Sequence, residues 1–342
     1  MREISIQKNE AGQRMDKFLA KYLNKAPKSF FYKMMRKKNI ILNGKKAVGN
    51  EQLKQGDVIK LFLAEETIEN FIDHSQFSKK KASSARKQTA GKKVQLDILY
   101  EDEAAVFINK PVGMLSQKAS PTDTSLVEYF IDYLLENGKI TEEELHTFHP
   151  SVCNRLDRNT SGIVAAGKTL QALQGLSEMF RDRTLKKYYL CLVKGQVKEN
   201  QRIHGYLVKN EKTNKVTVSQ KKPAEQTKDG KEASAIDTEY KVLARNKETT
   251  LLEVHLITGK THQIRAHLAS IGHPIAGDYK YGNRSFNDAL KKEYGLRSQL
   301  LHAYRLEFPE NCEGDIKQLS GKIIKAPVPA LFEQICKAQG VM

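Results

Sequence analysis

Asn154-Arg155-Leu156-Asp157-Arg158-Asn159-Thr160-Ser161-Gly162 sets one carboxylate between two arginines, two residues after the first and next to the second, in a polar turn that runs into the apolar stretch Ile163-Val164-Ala165-Ala166. Neighbouring cations favour the charged form of a carboxylate. A charged, well-positioned carboxylate is a competent nucleophile. For an Asp flanked by arginines taken in isolation, a surface turn closed by ion pairs is the simpler reading. The rest of the chain decides between the two.

Charge is the first discriminator. The 342 residues suffice for one large domain and a small one. Residues 1–93 carry 22 lysines and arginines against 9 acids, a net of +13, whereas residues 94–342 carry 35 against 31. A basic N-terminal third on a nearly balanced body points to a polyanion-binding module joined to something else, with nucleic acid the expected polyanion. No long apolar span, lipidation motif or signal peptide is present, so no membrane partner is expected. The four cysteines, Cys153, Cys191, Cys312 and Cys336, form no Cys-x-x-Cys pair and fit no zinc spacing. They imply a reducing, cytoplasmic setting. Cys153 lies beside the Asp157 motif, but the charged run next to it makes a thiol nucleophile the weaker reading. No Gly-x-Gly-x-x-Gly or Walker loop occurs, so no nucleotide cofactor is expected.

Residues 12–63 read as a compact α/β unit. Met15, Phe18, Leu19, Tyr22 and Leu23 recur at helical spacing up to Pro27. Ser29 is the expected N-cap of a second helix, with Phe30, Phe31, Met34 and Met35 as its apolar stripe. Lys33, Arg36, Lys37 and Lys38 cluster toward its end. There they either complement the helix dipole or form a phosphate-binding face, and the local charge excess favours the second reading. Ile40-Ile41-Leu42 reads as a strand, Asn43-Gly44 as a hairpin turn and Gly56-Asp57 as a turn into Val58–Phe62. Residues 65–93, with Lys79-Lys80-Lys81 and Arg86-Lys87, read as a basic flexible linker. Beyond Val94 the composition is that of a folded body. Strands are expected at 96–99, 104–108, 188–193 and 250–257, a helix at 169–183, and a hairpin with an exposed loop within 208–232.

Arg14-Met15-Asp16-Lys17-Phe18-Leu19, the basic helix, Asn43-Gly44 and Gly56-Asp57 resemble the S4 RNA-binding module. That module usually opens its second helix with Ser-Arg; this chain has Lys28-Ser29, which keeps a charge but loses the planar fork of Arg. Four further pieces accompany the Asp157 motif. They are Asn109-Lys110-Pro111-Val112-Gly113, Lys187-Tyr188-Tyr189-Leu190, the run Thr258-Gly259-Lys260-Thr261-His262-Gln263-Ile264-Arg265-Ala266-His267 continued by Gly272-His273-Pro274 and Gly277-Asp278, and Leu301-His302-Ala303-Tyr304-Arg305-Leu306. In this order and spacing, over residues 94–335, they resemble the RluA-type pseudouridine synthase family. Asn154 stands where that family commonly has His, Asn159 where it has Asp, and Lys260 where it has Arg. None of these is the aspartate itself.

The resemblance implies an α+β catalytic domain over residues 94–342, with a mixed, largely antiparallel sheet flanked by helices and loops. A small α/β S4-like domain is expected over 1–64. The implied activity is isomerisation of uridine to pseudouridine in structured RNA, above all 23S ribosomal RNA or its large-subunit precursor, with tRNA as the alternative substrate. No cofactor and no metal are implied, and a monomer is expected. The family's catalytic aspartate falls on Asp157, its active-site tyrosine on Tyr189 and the basic partner of the aspartate on Arg265. Arg155 falls on the residue that enters the RNA as the target base leaves. Lys33, Arg36 and Lys37 would contact RNA phosphates. The resemblance leaves open whether Asp157 attacks the ribose, attacks the uracil ring or assists elimination by taking a proton.

These residue types suit base extrusion. An enzyme acting on a stacked base must flip it out. A guanidinium can fill the gap while touching phosphate, and a tyrosine ring offers a stacking face. Plainer readings compete. Tyr189 on an apolar strand is by default a core residue, Arg265 a surface one and Lys110 a structural one. His262, His267 and His273 could suggest a metal-dependent hydrolase, but the first two are five residues apart and no His-Glu-x-x-His glutamate is present, so they read as hydrogen-bonding residues. A non-catalytic RNA-binding assembly factor is the other rival; the intact Asp157, Tyr189 and Arg265 set speaks against it.

Overall fold

The computed structural model describes residues 1–73, 94–142, 144–210, 213, 215–222 and 233–342. The expected linker from 74 onward, and most of the loop after the 208–219 hairpin, lie outside the described residues.

The N-terminal unit has a four-stranded antiparallel sheet of β1 (Arg2–Ser5), β2 (Ile40–Leu42), β3 (Lys45–Lys46) and β4 (Val58–Leu61), in the order β1-β4-β2-β3. Helices Met15–Tyr22 and Lys28–Arg36 cover it, burying Met15, Phe18, Leu19, Phe31 and Met35. Asn43 and Gly44 both take positive φ (50° and 74°), as a two-residue hairpin turn requires. The Asn43 side chain also ties this turn to the next: its Nδ2 donates to Asp57 and its Oδ1 accepts from the Val58 N–H, both at 2.8 Å.

Two sequence expectations shift. The second helix starts at Lys28 with Pro27 at the cap, not with Ser29 as cap; the fixed φ of proline, here −69°, already delivers the chain to the helix. The boundary at 64 also moves. Glu65–Asn70 is helical, and Ile68 and Ile72 are buried in the N-terminal core, so the ordered unit reaches Asp73. Three polar contacts join this unit to the body: Asn9 Nδ2 donates to Glu144 (3.1 Å), Thr147 Oγ1 donates to Glu10 (2.6 Å) and Lys8 pairs with Asp315 (3.7 Å).

The body is built on β5 (Ile98–Glu101), β6 (Ala105–Lys110), β7 (Ser151–Val152), β8 (Ser161–Gly167), β9 (Lys186–Lys194), β10 (Gln201–Asn210), β11 (Lys215–Ser219), β12 (Ser234–Arg245), β13 (Thr249–Leu256), β14 (Leu301–Glu307) and β15 (Ile323–Lys325). They form one sheet in the order β11-β10-β12-β13-β9-β14-β8-β6-β5, with β15 on β14 and β7 on β8. Among the described pairings only β8 with β14 is parallel. The result is the mixed, mostly antiparallel α+β architecture the sequence implied. The central strands are apolar on both faces. Val106, Ile108, Val164 and Ala166 face a cluster capped by helix Leu126–Glu136, while Ala105, Phe107, Ile163 and Ala165 face helix Leu170–Asp182. That explains why β6 and β8 read as continuous apolar runs without alternation. Ser125 and Glu128 form a capping box on the first helix, and Thr169 Oγ1 accepts the Ala172 N–H on the second. No helix among the described residues is long and apolar enough to cross a membrane.

The parallel pairing of β8 and β14 is what brings the 154–162 segment to the 301–306 segment. Gly162 lies opposite Ala303 with φ +111°, and a Cβ there would sit 2.1 Å from the Ala303 carbonyl oxygen. Only glycine fits. Beside it Ser161 Oγ and His302 Nδ1 are 2.9 Å apart, and both residues are buried. Burial pushes the His302 imidazole down to about 4, the Ala326 and Pro327 carbonyls opposing only in part. Against an unfolded value of about 6.5, the unfolded chain binds more protons between these two pH values. Stability is therefore full above about pH 6.5 and falls as pH drops toward 4, by on the order of 3 kcal/mol from this residue. His262 and His267 are depressed in the same sense. Thermal melts of His302→Gln between pH 7 and 4.5 should lose less stability on acidification than those of wild type; an unchanged pH slope would contradict this account.

Candidate active site

Asp157 sits on the loop between β7 and β8, and that loop is fastened from several sides. Asn154 Oδ1 accepts the Ala165 N–H (2.8 Å) and its Nδ2 donates to the Ile163 carbonyl (3.2 Å). Ser116 Oγ donates to the Leu156 carbonyl (2.9 Å) and accepts the Leu156 N–H (3.0 Å). The Thr160 N–H closes a turn on the Asp157 carbonyl at 3.0 Å. Buried Lys110 donates to the carbonyls of Pro111, Met114 and Arg158 at 2.9, 2.9 and 3.2 Å, which makes it a structural clamp. Burial brings its ammonium down to about 8, with Asp157 opposing.

The flanking arginines do not hold Asp157. Arg158 Nε donates to the Gly113 carbonyl, and the Gly113 N–H returns a bond to the Arg158 carbonyl. Arg155 is exposed at the cleft. The cation that Asp157 meets is Arg265, whose Nη1 donates to Asp157 Oδ2 at 2.7 Å across 108 residues. Arg265 lies in the helix Gln263–Ser270 and is itself held from behind. Its Nε and Nη2 donate to the two oxygens of Asp278 at 2.7 and 2.9 Å, and its guanidinium lies 5.2 Å from the Tyr281 ring centre. Burial alone would lower Arg265 and raise Asp278. The hydrogen bonds between them outweigh this, so Arg265 stands above its ordinary value and Asp278 below its own. The N–H groups of Lys280 and Tyr281 also donate to Asp278.

His262 precedes this helix in a left-handed conformation, φ 53°. Its Nδ1 is 2.9 Å from the Tyr281 hydroxyl, which already accepts the Val216 N–H at 3.0 Å. The Nε2 of His262 lies 3.9 Å from Asp157 Oδ2. Burial depresses His262, with Asp157 opposing and Arg265 reinforcing. Gln263 anchors the loop beneath: it accepts from Thr258 and Lys260 and donates to Asp237 and Thr238.

These groups open into a cleft of about 890 Å³ lined by Arg155, Asp157, Lys187, Tyr189, His262 and Leu301, among others. Tyr189 is buried on β9; burial, aided by Asp157, raises its hydroxyl. Cys153 also lines the cleft, but burial pushes its thiol up to about 12, which disqualifies it as a nucleophile at neutral pH. His267 and His273 turn to Thr238 and to the Lys194 carbonyl. Lys33, Arg36 and Lys37 are exposed at the C-terminal end of the Lys28–Arg36 helix.

The structure thus brings Asp157, Arg265, Tyr189 and Arg155 to one cleft. The sequence reading quoted Asp278 and Gln263 inside the motifs but gave neither a role, and it did not single out Ser116 or Tyr281. The available signal for Asp278 was an acid directly after Gly277, a turn glycine.

A mixed sheet with a carboxylate–guanidinium pair at the floor of an open, cation-bordered cleft is the arrangement of an enzyme that acts on nucleic acid. The chain belongs to the RNA pseudouridylate synthase family, whose description matches residues 104–270. It is 34% identical over 336 residues to ribosomal large subunit pseudouridine synthase C of Vibrio parahaemolyticus, covering 97% of this chain and 94% of that protein. The proteins of the same name from Vibrio cholerae and Salmonella typhi are each 32% identical, covering 97% and 94% of this chain and 94% and 93% of theirs. Among solved structures, human RNA pseudouridylate synthase domain containing 4 has the same fold, with a TM-score of 0.57 at 23% identity over 72% of this chain and 94% of that one.

Asp278 is almost wholly buried, its side chain 1% exposed, so its removal acts on the cleft indirectly, through Arg265 and the Lys280–Tyr281 turn. Asp278→Asn should lower kcat by roughly 100-fold, the scale of a small misplacement at a reacting centre, with KM nearly unchanged. Single-turnover kinetics check this; a loss confined to KM would place Asp278 in substrate binding.

Proposed function

We propose that this chain isomerises specific uridines of 23S ribosomal RNA in the cytoplasm, with Asp157 as the group that meets a flipped-out uridine. The observation that carries the assignment is the 2.7 Å contact between Asp157 and Arg265 on the floor of the cleft. Arg265 takes Oδ2 and fixes the carboxylate in orientation. The names of the relatives support ribosomal RNA over tRNA.

In this reading, Arg155, exposed at the rim, fills the space the base vacates and stacks on its neighbours. Tyr189 stacks on uracil from the cleft wall. The N1–C1′ bond breaks, the detached uracil turns, C5 bonds to C1′, the C5 proton leaves to solvent and N1 takes up a proton in its place, so the product is an isomer of the substrate. The uracil is recaptured instead of released, so the second carboxylic acid that a glycosidase uses to protonate its leaving group has no counterpart to find here. The N-terminal unit serves as an S4-like module that adds affinity through Lys33, Arg36 and Lys37.

RNA carrying tritium at uracil C5 tests the assignment, because isomerisation releases the label and binding does not. Wild type should release it. Asp157→Asn should release none while its RNA affinity stays within a few-fold of wild type. Equal release by the two proteins would remove Asp157 from the reaction. Replacing Lys33, Arg36 and Lys37 together by Gln should reduce the slope of log K against log salt by about 0.7–0.9 for each phosphate they neutralise; an unaltered slope would take these residues off the RNA.

A further inference from the structure

Lys187 stands at the second position of β9, two residues before Tyr189. Residues two apart on a strand share a face, and both side chains line the cleft. Lys187 is 7% exposed. The other two lysines buried in the body have partners: Lys110 has its three carbonyls, and Lys168 pairs with Glu101 at 2.8 Å. Lys187 has no hydrogen bond and no ion pair among the described residues.

Its surroundings sharpen the anomaly. The Nζ lies beside Gly259, where a Cβ would stand 3.8 Å from it. Lys260, the next residue, lines the same cleft and is exposed. The one charge that acts appreciably on Lys187 is the like charge of Arg183, and burial with that repulsion lowers its ammonium to about 8. No acid of the described residues makes an ion pair with this ammonium, which lines the cleft beside Gly259.

Its Nζ is not among the fully buried polar atoms left without a partner among the described residues, so the tip of the side chain reaches the open space of the cleft. A cation held there with no protein acceptor is placed to meet an anion that arrives with the substrate. Resting on the reading of this cleft as an RNA site, we propose that Lys187 binds a backbone phosphate of the strand that delivers the target nucleotide into the cleft. A uracil carbonyl is the lesser match, since a dipole offsets an unpaired charge less fully than a phosphate does, and the uracil must lie near Asp157. Lys187 is thus a positioning residue: it sets the strand so that the flipped base reaches Asp157.

The experiment compares full-length wild type, Lys187→Met and Lys187→Arg on unmodified large-subunit ribosomal RNA transcript labelled with tritium at uracil C5. Affinity is measured separately, as a function of salt, in the Asp157→Asn background where no turnover occurs. Lys187→Met should raise KM by roughly 10- to 100-fold, the scale of one charged hydrogen bond. It should reduce the slope of log K against log salt by about 0.7–0.9, one phosphate's share. Lys187→Arg should restore most of the slope. The melting temperature of Lys187→Met should equal or exceed that of wild type, because the variant breaks no side-chain hydrogen bond or ion pair; a lowered melting temperature would mark the lysine as structural and overturn the proposal. An unchanged slope with a fall in kcat alone would put the ammonium on uracil and equally overturn it. Absence of tritium release from wild type would instead strike at the pseudouridine assignment, independently of the binding measurements.

Discussion

One guanidinium is shared between two carboxylates. Arg265 gives its Nε and Nη2 to Asp278 and its Nη1 to Asp157. The first pairing is buried, with Asp278 1% exposed, and the second opens to the cleft, with Asp157 26% exposed. The buried pair is supported by the N–H groups of Lys280 and Tyr281, which is the condition under which a desolvated ion pair holds together. Arg265 is thereby fixed before substrate arrives, and its remaining N–H fixes Asp157. Preorganisation of this kind spares the reaction the cost of reorienting charged groups.

The same arrangement sets an electrostatic problem. Two carboxylates on one arginine leave a net negative charge at the floor of a cleft that must admit a polyanion. The burial-depressed His262 does not offset it. Cations surround the floor: Lys110 and Lys280, on which Asp157 acts, and Arg155, Lys187 and Lys260 along the cleft lining. Charge of one sign at the floor and the other along the walls separates the two tasks of the site. In the proposed reading, the strand would be held at its phosphates while the sugar and base are met by a carboxylate.

Much of this was legible in the sequence because the motifs are local. The turn at Asn43-Gly44, the strands at β5, β6, β9 and β13 and the helix at Leu170–Asp182 lie within a few residues of where periodicity and turn chemistry put them. What adjacency could not give was pairing. Arg155 and Arg158 sit two residues and one residue from Asp157 in sequence, yet the partner is Arg265, because a turn held by Asn154, Ser116 and Lys110 sends neighbouring side chains in different directions. The role of Asp278 was hidden for the same reason: its partner lies on a helix thirteen residues earlier, buried where composition leaves no mark. The N-terminal boundary was misplaced because Glu65–Asn70 reads as polar, and only Ile68 and Ile72 anchor it.

Lys110 and Lys187 show why partners, not burial, assign a role. Both are buried lysines, and burial brings both ammonium groups to about 8. On those two properties they are indistinguishable. Lys110 spends its three N–H bonds on three carbonyls of the loop that carries Arg158, so its charge is solvated by backbone dipoles and its task is complete within the fold. Lys187 has the same three donors and no acceptor among the described residues, on a wall that faces open space. A fold that satisfies one buried ammonium so fully, a few residues from the reacting carboxylate, has the means to satisfy another. Leaving Lys187 without an acceptor keeps its donors available for a group that arrives from outside.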